Sequence, residues 1–369
     1  MHILIVTDAW KPQVNGVVNT YVNLEREAPG VGLSLSFLTP LEFRTVPLPT
    51  YAEIRLALAT KGGVARHIER HKPDFIHIAT EGPLGLAARR TCVAEGRAFT
   101  TSYHTRFPEY VAARLPVPLS WGYRFERWFH NAGAGVMAAS RSLCEDLERQ
   151  GIKNAKLWSR GVDLELFRPR NTDVFSLPRP IFLYAGRVAV EKNLDAFLKL
   201  DLPGTKVVVG GGPQLAELTR RYPSAVFTGP KFGVELAEHY ASADVFVFPS
   251  LTDTFGNVIL EALASGVPVA AYNVMGPKDI VSTGHVGVLG DDLRDAALAA
   301  LDLDRQRCRA YAEGFSWQAC ASRFRDIIVE ANARPPGPIA ISEHIPPVLG
   351  YNSAATFEVA HDPPDDSRH

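Results

Sequence analysis

PSLTDTFGNVILEALASGVP, Pro249 to Pro268, decides how the rest of the chain is read. Ahead of it lies ADVFVF (Ala243 to Phe248), a short apolar, β-rich run of the kind that forms a strand buried in a parallel sheet. Beyond the polar turn and Gly256, residues 257–265 carry Val258, Leu260, Leu263 and Ala264 at helical spacing. Gly266 and Pro268 stand where a helix stops. Strand, turn and helix in that order aim the helix N-terminus at whatever lies beyond the strand's carboxyl end. Free N–H groups and the positive end of the helix dipole suit that place to an anion such as a diphosphate. Two carboxylates bracket it, Asp253 in the turn and Glu261 in the helix. Eight helical residues cover about 12 Å, whereas a retaining glycosidase needs its carboxylates about 5–5.5 Å apart. The pair therefore reads as two grips on one elongated ligand, with a turn Asp capping a helix that bears a surface Glu as the structural alternative.

Working outward, 369 residues are enough for two domains of ordinary size. Hydrophobic content of 46% and charged content of 21% are those of a soluble α/β protein. No apolar run reaches eighteen residues, so no transmembrane helix is expected. MHILIVTDAW has no basic leader or cleavage site and reads directly as a first strand, so no signal peptide is expected. Cys92, Cys144, Cys308 and Cys320 lie far apart, with no C-x-x-C and no His partners. That pattern predicts reduced thiols in the cytoplasm and argues against a metal cage. Residues 1–170 hold 22 Lys and Arg against 16 Asp and Glu, and residues 171–369 hold 17 against 24. A basic first half suits an anionic partner such as a membrane face; nothing in the chain asks for a nucleic acid.

In the first half, MHILIVT (1–7) predicts a strand, and Asp8 to Gly16 a turn into a helix from Val17. The glycine lets backbone approach a ligand closely at the crevice of an α/β sheet. No G-x-G-x-x-G follows, which counts against an NAD enzyme. PDFIHI (73–78) is a further strand, and Glu81 in the next turn is placed to face a cleft and bind an acceptor. AFTTSY (98–103) delivers His104 to a strand's carboxyl end, with Arg106 and Glu109 following as acceptor-side candidates. Residues 111–130 interleave Arg114, Arg124 and Arg127 with Trp121, Tyr123, Phe125, Trp128 and Phe129. That mixture fits a bilayer interface, or else an amphipathic helix packing its rings into a core.

RPRNTDVFSLPRP (168–180) has the composition of an interdomain linker. IFLYA (181–185) then predicts a strand running into Gly186-Arg187-Val188-Ala189-Val190-Glu191-Lys192-Asn193. Two cations five residues apart between a strand and a helix can hold a diphosphate from two sides and neutralise the charge on a departing nucleotide. KVVVG leads to Gly210-Gly211-Gly212-Pro213, and AVFT to Gly229-Pro230-Lys231-Phe232. Phe315-Ser316-Trp317 opens a helix to about Ala333, and the proline-rich, aperiodic tail from Arg334 predicts disorder.

Asp253-Thr254-Phe255-Gly256 followed by Glu261-Ala262-Leu263-Ala264-Ser265-Gly266 resembles the E-x7-E segment of the retaining glycosyltransferases of family 4. Asp253 stands where the family usually has Glu, and the TDTFG form is similar to lipid-directed mannosyl- and sulfoquinovosyltransferases. The resemblance extends over residues 1–330 and implies the α/β GT-B fold, two doubly wound Rossmann-like domains facing each other across a cleft. It assigns residues 1–169 to an acceptor-binding domain and 179–316 to a nucleotide-sugar-binding domain. Residues 317–333 become a helix crossing back to the first domain, and 334–369 a tail.

By the same resemblance, Arg187 and Lys192 grip the donor's diphosphate, with Gly16 and Gly186 close to it. The turn of Asp253, Thr254, Phe255 and Gly256 holds the sugar and, with Asn257 at the helix start, the phosphates. Glu261 binds the ribose, and Gly229 and Lys231 lie at the base. His104 lines the sugar site, and with Arg187, Lys192 and Asp253 makes up the catalytic set. Arg160-Gly161-Val162-Asp163 is similar to the family's interdomain segment, whereas Gly211 stands where the family more often has the Asp of G-D-G-P.

The expected activity is transfer of a hexose from a nucleotide-sugar to an acceptor hydroxyl, retaining anomeric configuration. The expected acceptor is a membrane lipid, met at the inner face of the cytoplasmic membrane. No D-x-D stands at a strand end, so neither a metal nor another cofactor is expected. A soluble glycan acceptor, a nucleotide-sugar epimerase and a non-catalytic nucleotide-sugar binder are the alternatives.

Overall fold

The structure is a computed structural model that describes residues 1–13, 15–48, 51–112, 117–281 and 284–333. Its first half runs β1 (His2–Val6), α1 (Gly16–Glu27), β2 (Ser34–Leu38), β3 (Thr45–Leu48), β4 (Tyr51–Ala57), α2 (Lys61–His71) and β5 (Phe75–Ile78). It continues α3 (Pro83–Glu95), β6 (Phe99–Tyr103), α4 (Phe107–Ala112), α5 (Leu119–His130), β7 (Gly135–Ala138), α6 (Arg141–Arg149) and β8 (Ala155–Leu157). The second half runs β9 (Ile181–Ala185), α7 (Leu194–Leu198), β10 (Thr205–Val209), α8 (Leu215–Arg221), β11 (Val226–Gly229), α9 (Gly233–Ala241) and β12 (Val245–Phe248). It ends α10 (Asn257–Ala264), β13 (Val269–Tyr272), α11 (Pro277–Ile280), β14 (Gly287–Gly290), α12 (Leu293–Ala300), α13 (Arg305–Ala312) and α14 (Trp317–Asn332).

Alternating strands and helices can bury both faces of a sheet only if the strands run parallel. Each half does this with six parallel strands, in the orders β2-β1-β5-β6-β7-β8 and β11-β10-β9-β12-β13-β14. The inner strands β9 and β12 are buried at every residue, as their continuous apolar runs require. β6, FTTSY, is equally buried although four of its five residues carry hydroxyls. Thr100 and Ser102 spend theirs on His77, and Thr101 on His130. A small antiparallel pair, β3 with β4, sits apart from both sheets and carries Pro47 in one of its two strands.

In each sheet the order reverses once, between β1 and β5 and between β9 and β12. At such a point the loops leaving two neighbouring strands diverge to opposite faces and open a crevice. The halves are joined through Val162, whose N–H donates to the Phe315 carbonyl (2.9 Å) and which bridges to Ser316. Gly161 makes this approach feasible, since a methyl there would lie 2.6 Å from the backbone of Trp317. From that seam α14 packs onto the first sheet, burying Phe324, Ile327 and Ile328 with Ile3, Tyr21 and Trp158. Trp158 Nε1 fixes it by donating to the Cys320 carbonyl (3.1 Å). Among the described residues no helix is long and apolar enough to cross a membrane. Arg114 and the tail 334–369 lie outside the described residues.

Candidate active site

The crevice of the second sheet collects the two strongest motifs of the sequence. β9 ends in the turn holding Gly186 and Arg187, and a 3-10 turn, Val190–Lys192, brings Lys192 round to face the loop after β12. Lys192 Nζ lies 2.5 Å from Asp253 Oδ1, and Asn193 Nδ2 donates to the Pro249 carbonyl (3.1 Å). Asp253 Oδ2 is buried with no hydrogen-bond partner. Arg187 is exposed in the same turn, and its carbonyl accepts from the Tyr184 hydroxyl (2.8 Å). Gly256 precedes α10 with φ +97°, a conformation that disfavours any side chain, and no side chain caps the helix. Phe255 is buried beneath the turn.

Glu261, one turn and a half into α10, accepts from the Tyr240 hydroxyl (2.9 Å). Burial pushes its carboxyl up to about 7, partly offset by that hydrogen bond. The glycine loop 210–212 closes the crevice behind Gly186: a methyl on Gly210 would lie 1.8 Å from the Gly186 carbonyl oxygen, and one on Gly212 2.3 Å from that of Val188. Gly211 alone has room, its nearest neighbour being Pro230 at 3.8 Å. A side chain therefore fits at the middle position and at neither flank. Gly229 accepts from Gly210 N–H (2.9 Å), Lys231 pairs with Glu235, and Phe232 stands 64% exposed beside them.

The first half meets this site from across the cleft. Gly16 opens α1 directly opposite α10: a methyl on it would sit 3.8 Å from Asn257 Nδ2. Thr254 Oγ1 donates to the His104 carbonyl (3.1 Å), and Ser142 N–H to Asp279 Oδ1 (2.9 Å). The His104 ring turns inward. Nδ1 lies 3.1 Å from Arg160 Nη2 and Nε2 3.2 Å from the Tyr21 hydroxyl. A guanidinium only donates, so Nδ1 accepts and the proton resides on Nε2. Burial, then the Arg160 cation, holds His104 well below the usual histidine range, so the ring is neutral. Both ring nitrogens are thus engaged within the first half, and it is the backbone that reaches the opposite turn.

Residues 14–166 match the family described as Glycosyltransferase Family 4, and residues 179–303 that described as Glycosyl transferases group 1. A GDP-mannose-dependent alpha-mannosyltransferase of Mycobacterium tuberculosis is 31% identical, over 78% of this chain and 83% of that one. The chain belongs to glycosyltransferase family 4. The sulfoquinovosyl transferase SQD2 of Arabidopsis thaliana is 30% identical, over 85% of this chain and 70% of its own length. Among solved structures, sucrose-phosphate synthase of Thermosynechococcus elongatus superposes with a TM-score of 0.70 at 19% identity, covering 90% of this chain and 99% of that one. Anabaena HepE in complex with UDP gives 0.67 at 16% identity, covering 89% and 100%. The fold is GT-B, and the chain is a hexosyltransferase that uses a nucleotide-sugar donor.

In the first half the sequence candidates for acceptor binding divide. Arg106 is committed to Glu109 and to Asp146, each at 2.8 Å, and the Tyr123 hydroxyl donates to Glu109 (2.6 Å). These contacts tie α4 to α5 and α6, and they leave Glu109 Oε2 buried without a partner. Glu81, after β5, reaches His130 Nε2 at 3.3 Å, and Glu126 Oε2 lies 3.1 Å from the same nitrogen. Sequence reading singled out neither Glu126 nor His130, although their spacing of four puts them on one face of a helix.

The aromatic stretch also divides. Tyr123 and Phe129 are buried, Phe125 and Trp128 half-buried, and Arg127 donates to the Gln150 carbonyl (3.0 Å). Most of its rings therefore serve the core, because α5 must cover one face of the first sheet. What remains exposed is Trp121 (48%), with Leu119 (43%), Phe107 (44%) and Arg124 nearby in sequence.

Proposed function

We propose that the protein transfers a hexose from a nucleotide-diphosphate sugar to a hydroxyl of a membrane lipid, with retention and without a metal at the diphosphate. The observation that carries this is the unpartnered, buried Asp253 Oδ2 beside Lys192, at the start of a helix that no side chain caps. A lone carboxylate oxygen accepts a sugar hydroxyl, while Lys192, Arg187 and the N–H groups of α10 receive the two phosphates. Gly16, Gly186 and Asn257 line the diphosphate. Thr254, Phe255 and Gly256 shape the turn under the sugar, Glu261 takes the ribose hydroxyls, and the Gly229–Lys231 loop takes the base.

The leaving diphosphate gains charge in an oxocarbenium-like transition state, and fixed cations stabilise it there. The acceptor attacks from the face the phosphate leaves, and the departing phosphate oxygen takes its proton. His104 orients the donor through the loop that it anchors. Residues 179–316 form the donor domain and 1–169 the acceptor domain, with 317–333 returning to the latter. Glu81, Arg106 and Glu109 border the acceptor path.

The lipid acceptor is supported by an alpha-monoglucosyldiacylglycerol synthase of Streptococcus pneumoniae, 27% identical over 82% of this chain and 78% of its own length. It is supported also by the exposed Phe107, Leu119 and Trp121, which suit peripheral contact with an anionic membrane face. The test is a thermal-shift panel of GDP-, UDP- and ADP-sugars, followed by transfer to lipid extract with and without chelator and NMR assignment of the product anomer. One donor should stabilise the protein and yield a glycolipid of unchanged configuration in chelator. Transfer to soluble glycans alone, or an inverted product, overturns the corresponding part.

A further inference from the structure

At the acceptor-side end of the first sheet, α5 presents Glu126 and His130 one turn apart, and the loop after β5 brings Glu81 against them. Glu126 and the His130 side chain are completely buried, and Glu81 is 18% exposed. His130 Nε2 has one proton to give and two carboxylates beside it, Glu126 Oε2 at 3.1 Å and Glu81 Oε1 at 3.3 Å. Only the first is met as a hydrogen bond. Glu81 Oε1 and Glu126 Oε1 remain buried without partners. A second, independent residue points into the same place: the Tyr103 hydroxyl, in a side chain 1% exposed, also has no partner. Its ring centroid lies 5.7 Å from that of His130, and burial together with Glu126, Glu109 and Glu81 pushes its pKa up.

Three unpaired carboxylate oxygens around a hydroxyl, with Glu109 Oε2 the third, accept and do not donate. Whatever balances them must supply positive charge or protons. We propose that Glu81, Glu126 and His130 form a binding site for one divalent first-row cation, such as zinc or manganese. Bonds of about 2.0–2.2 Å to nitrogen and oxygen separate neighbouring ligand atoms by about 3.0–3.5 Å; the two carboxylate oxygens lie 3.1 and 3.3 Å from His130 Nε2, and all three ligand atoms lie within 4.8 Å of one another. His130 Nδ1 lies 2.8 Å from Thr101 Oγ1, so the ring can keep its proton on Nδ1, donate it to that hydroxyl and offer the Nε2 lone pair. Two carboxylates and a neutral imidazole then balance the ion's charge inside the protein. The site belongs to the acceptor half and is independent of the donor diphosphate.

The test reads metal content and not transfer. Full-length protein is stripped with chelator, then titrated with Mn2+ by electron paramagnetic resonance and with Zn2+ by calorimetry. One equivalent per chain and a raised Tm are expected, with affinity at least about tenfold weaker in Glu81→Gln and Glu126→Gln, the scale on which loss of a supporting group acts. Glu81→Gln is the safer variant, because its side chain reaches the surface. No stoichiometric binding by the parent protein overturns the site and leaves a buried proton as the balancing charge. So does unchanged affinity in both variants.

Discussion

The two sheets share a topology, yet their crevices are finished in opposite ways. In the first, Asp8 leaves β1 and folds back onto α3, where it accepts from Leu84 N–H (2.8 Å), Gly85 N–H (3.1 Å) and the Thr80 hydroxyl (2.9 Å). Gly82 makes room for it, since a methyl there would lie 2.4 Å from Asp8 Cγ. The neighbouring α1 is closed by Asn15, whose side chain accepts from Val17 and Val18 N–H. Both helix ends are thus occupied by the chain's own acceptors. In the second crevice α10 begins at a glycine without a capping side chain, and Asp253 is salt-bridged through one oxygen only. An anion finds donors already taken in one half and available in the other. The same fold therefore makes its two halves differ by where each spends its side-chain acceptors.

The harshest way to break this comparison is to remove the cations. Lys192→Ala and Arg187→Ala should each lower kcat by about 10²–10³, the range for losing one preorganised donor to developing charge. Near-normal turnover in both variants would mean that the diphosphate lies elsewhere. The matching change in the first half, Asp8→Ala, strands two buried N–H groups and should cost about 1–3 kcal/mol of stability in chemical denaturation. Because the assignment gives Asp8 no ligand to hold, nucleotide affinity should stay at the parent value. A loss of affinity with intact stability would show instead that the Asp8 carboxylate also holds the donor.

How much of this was legible beforehand differs between the same two halves. ADVFVF, Gly256 and the helix after it carry their structure locally: apolar run, turn glycine, helical spacing and stop signals agree. Lys192 and Arg187 could be placed because a strand and a glycine fix where they begin. The candidates in the first half depend on side chains brought together from several elements, and pattern alone does not show which partners they meet. Arg106 and Glu109 looked available as ligands, yet Arg106 holds Asp146, forty residues on. The rings of 111–130 fitted either a membrane surface or a core, and Tyr123 and Phe129 are the ones with a sheet to cover. Glu126 and His130 carried one usable signal, their spacing of four, and that spacing is common on any solvated helix.

The subtlest discriminator between the halves is pH. Glu261 is held near 7 by burial, against an ordinary value of 4.5, with the Tyr240 hydroxyl pulling the other way. Between those two values the folded protein keeps a proton that the unfolded chain has released. Stability from this group is therefore full below about pH 4.5 and declines as pH rises through about 7. Donor binding should run in the opposite sense, because only the ionised carboxylate accepts both ribose hydroxyls. Affinity for an intact nucleotide-sugar, whose diphosphate has no group titrating in this range, should rise as pH climbs through about 7. Glu261→Gln should flatten both profiles. Calorimetry from pH 6 to pH 8 decides it: a level affinity in the parent protein would remove Glu261 from the ribose, while a slope that survives in Glu261→Gln would place the titrating group elsewhere in the cleft.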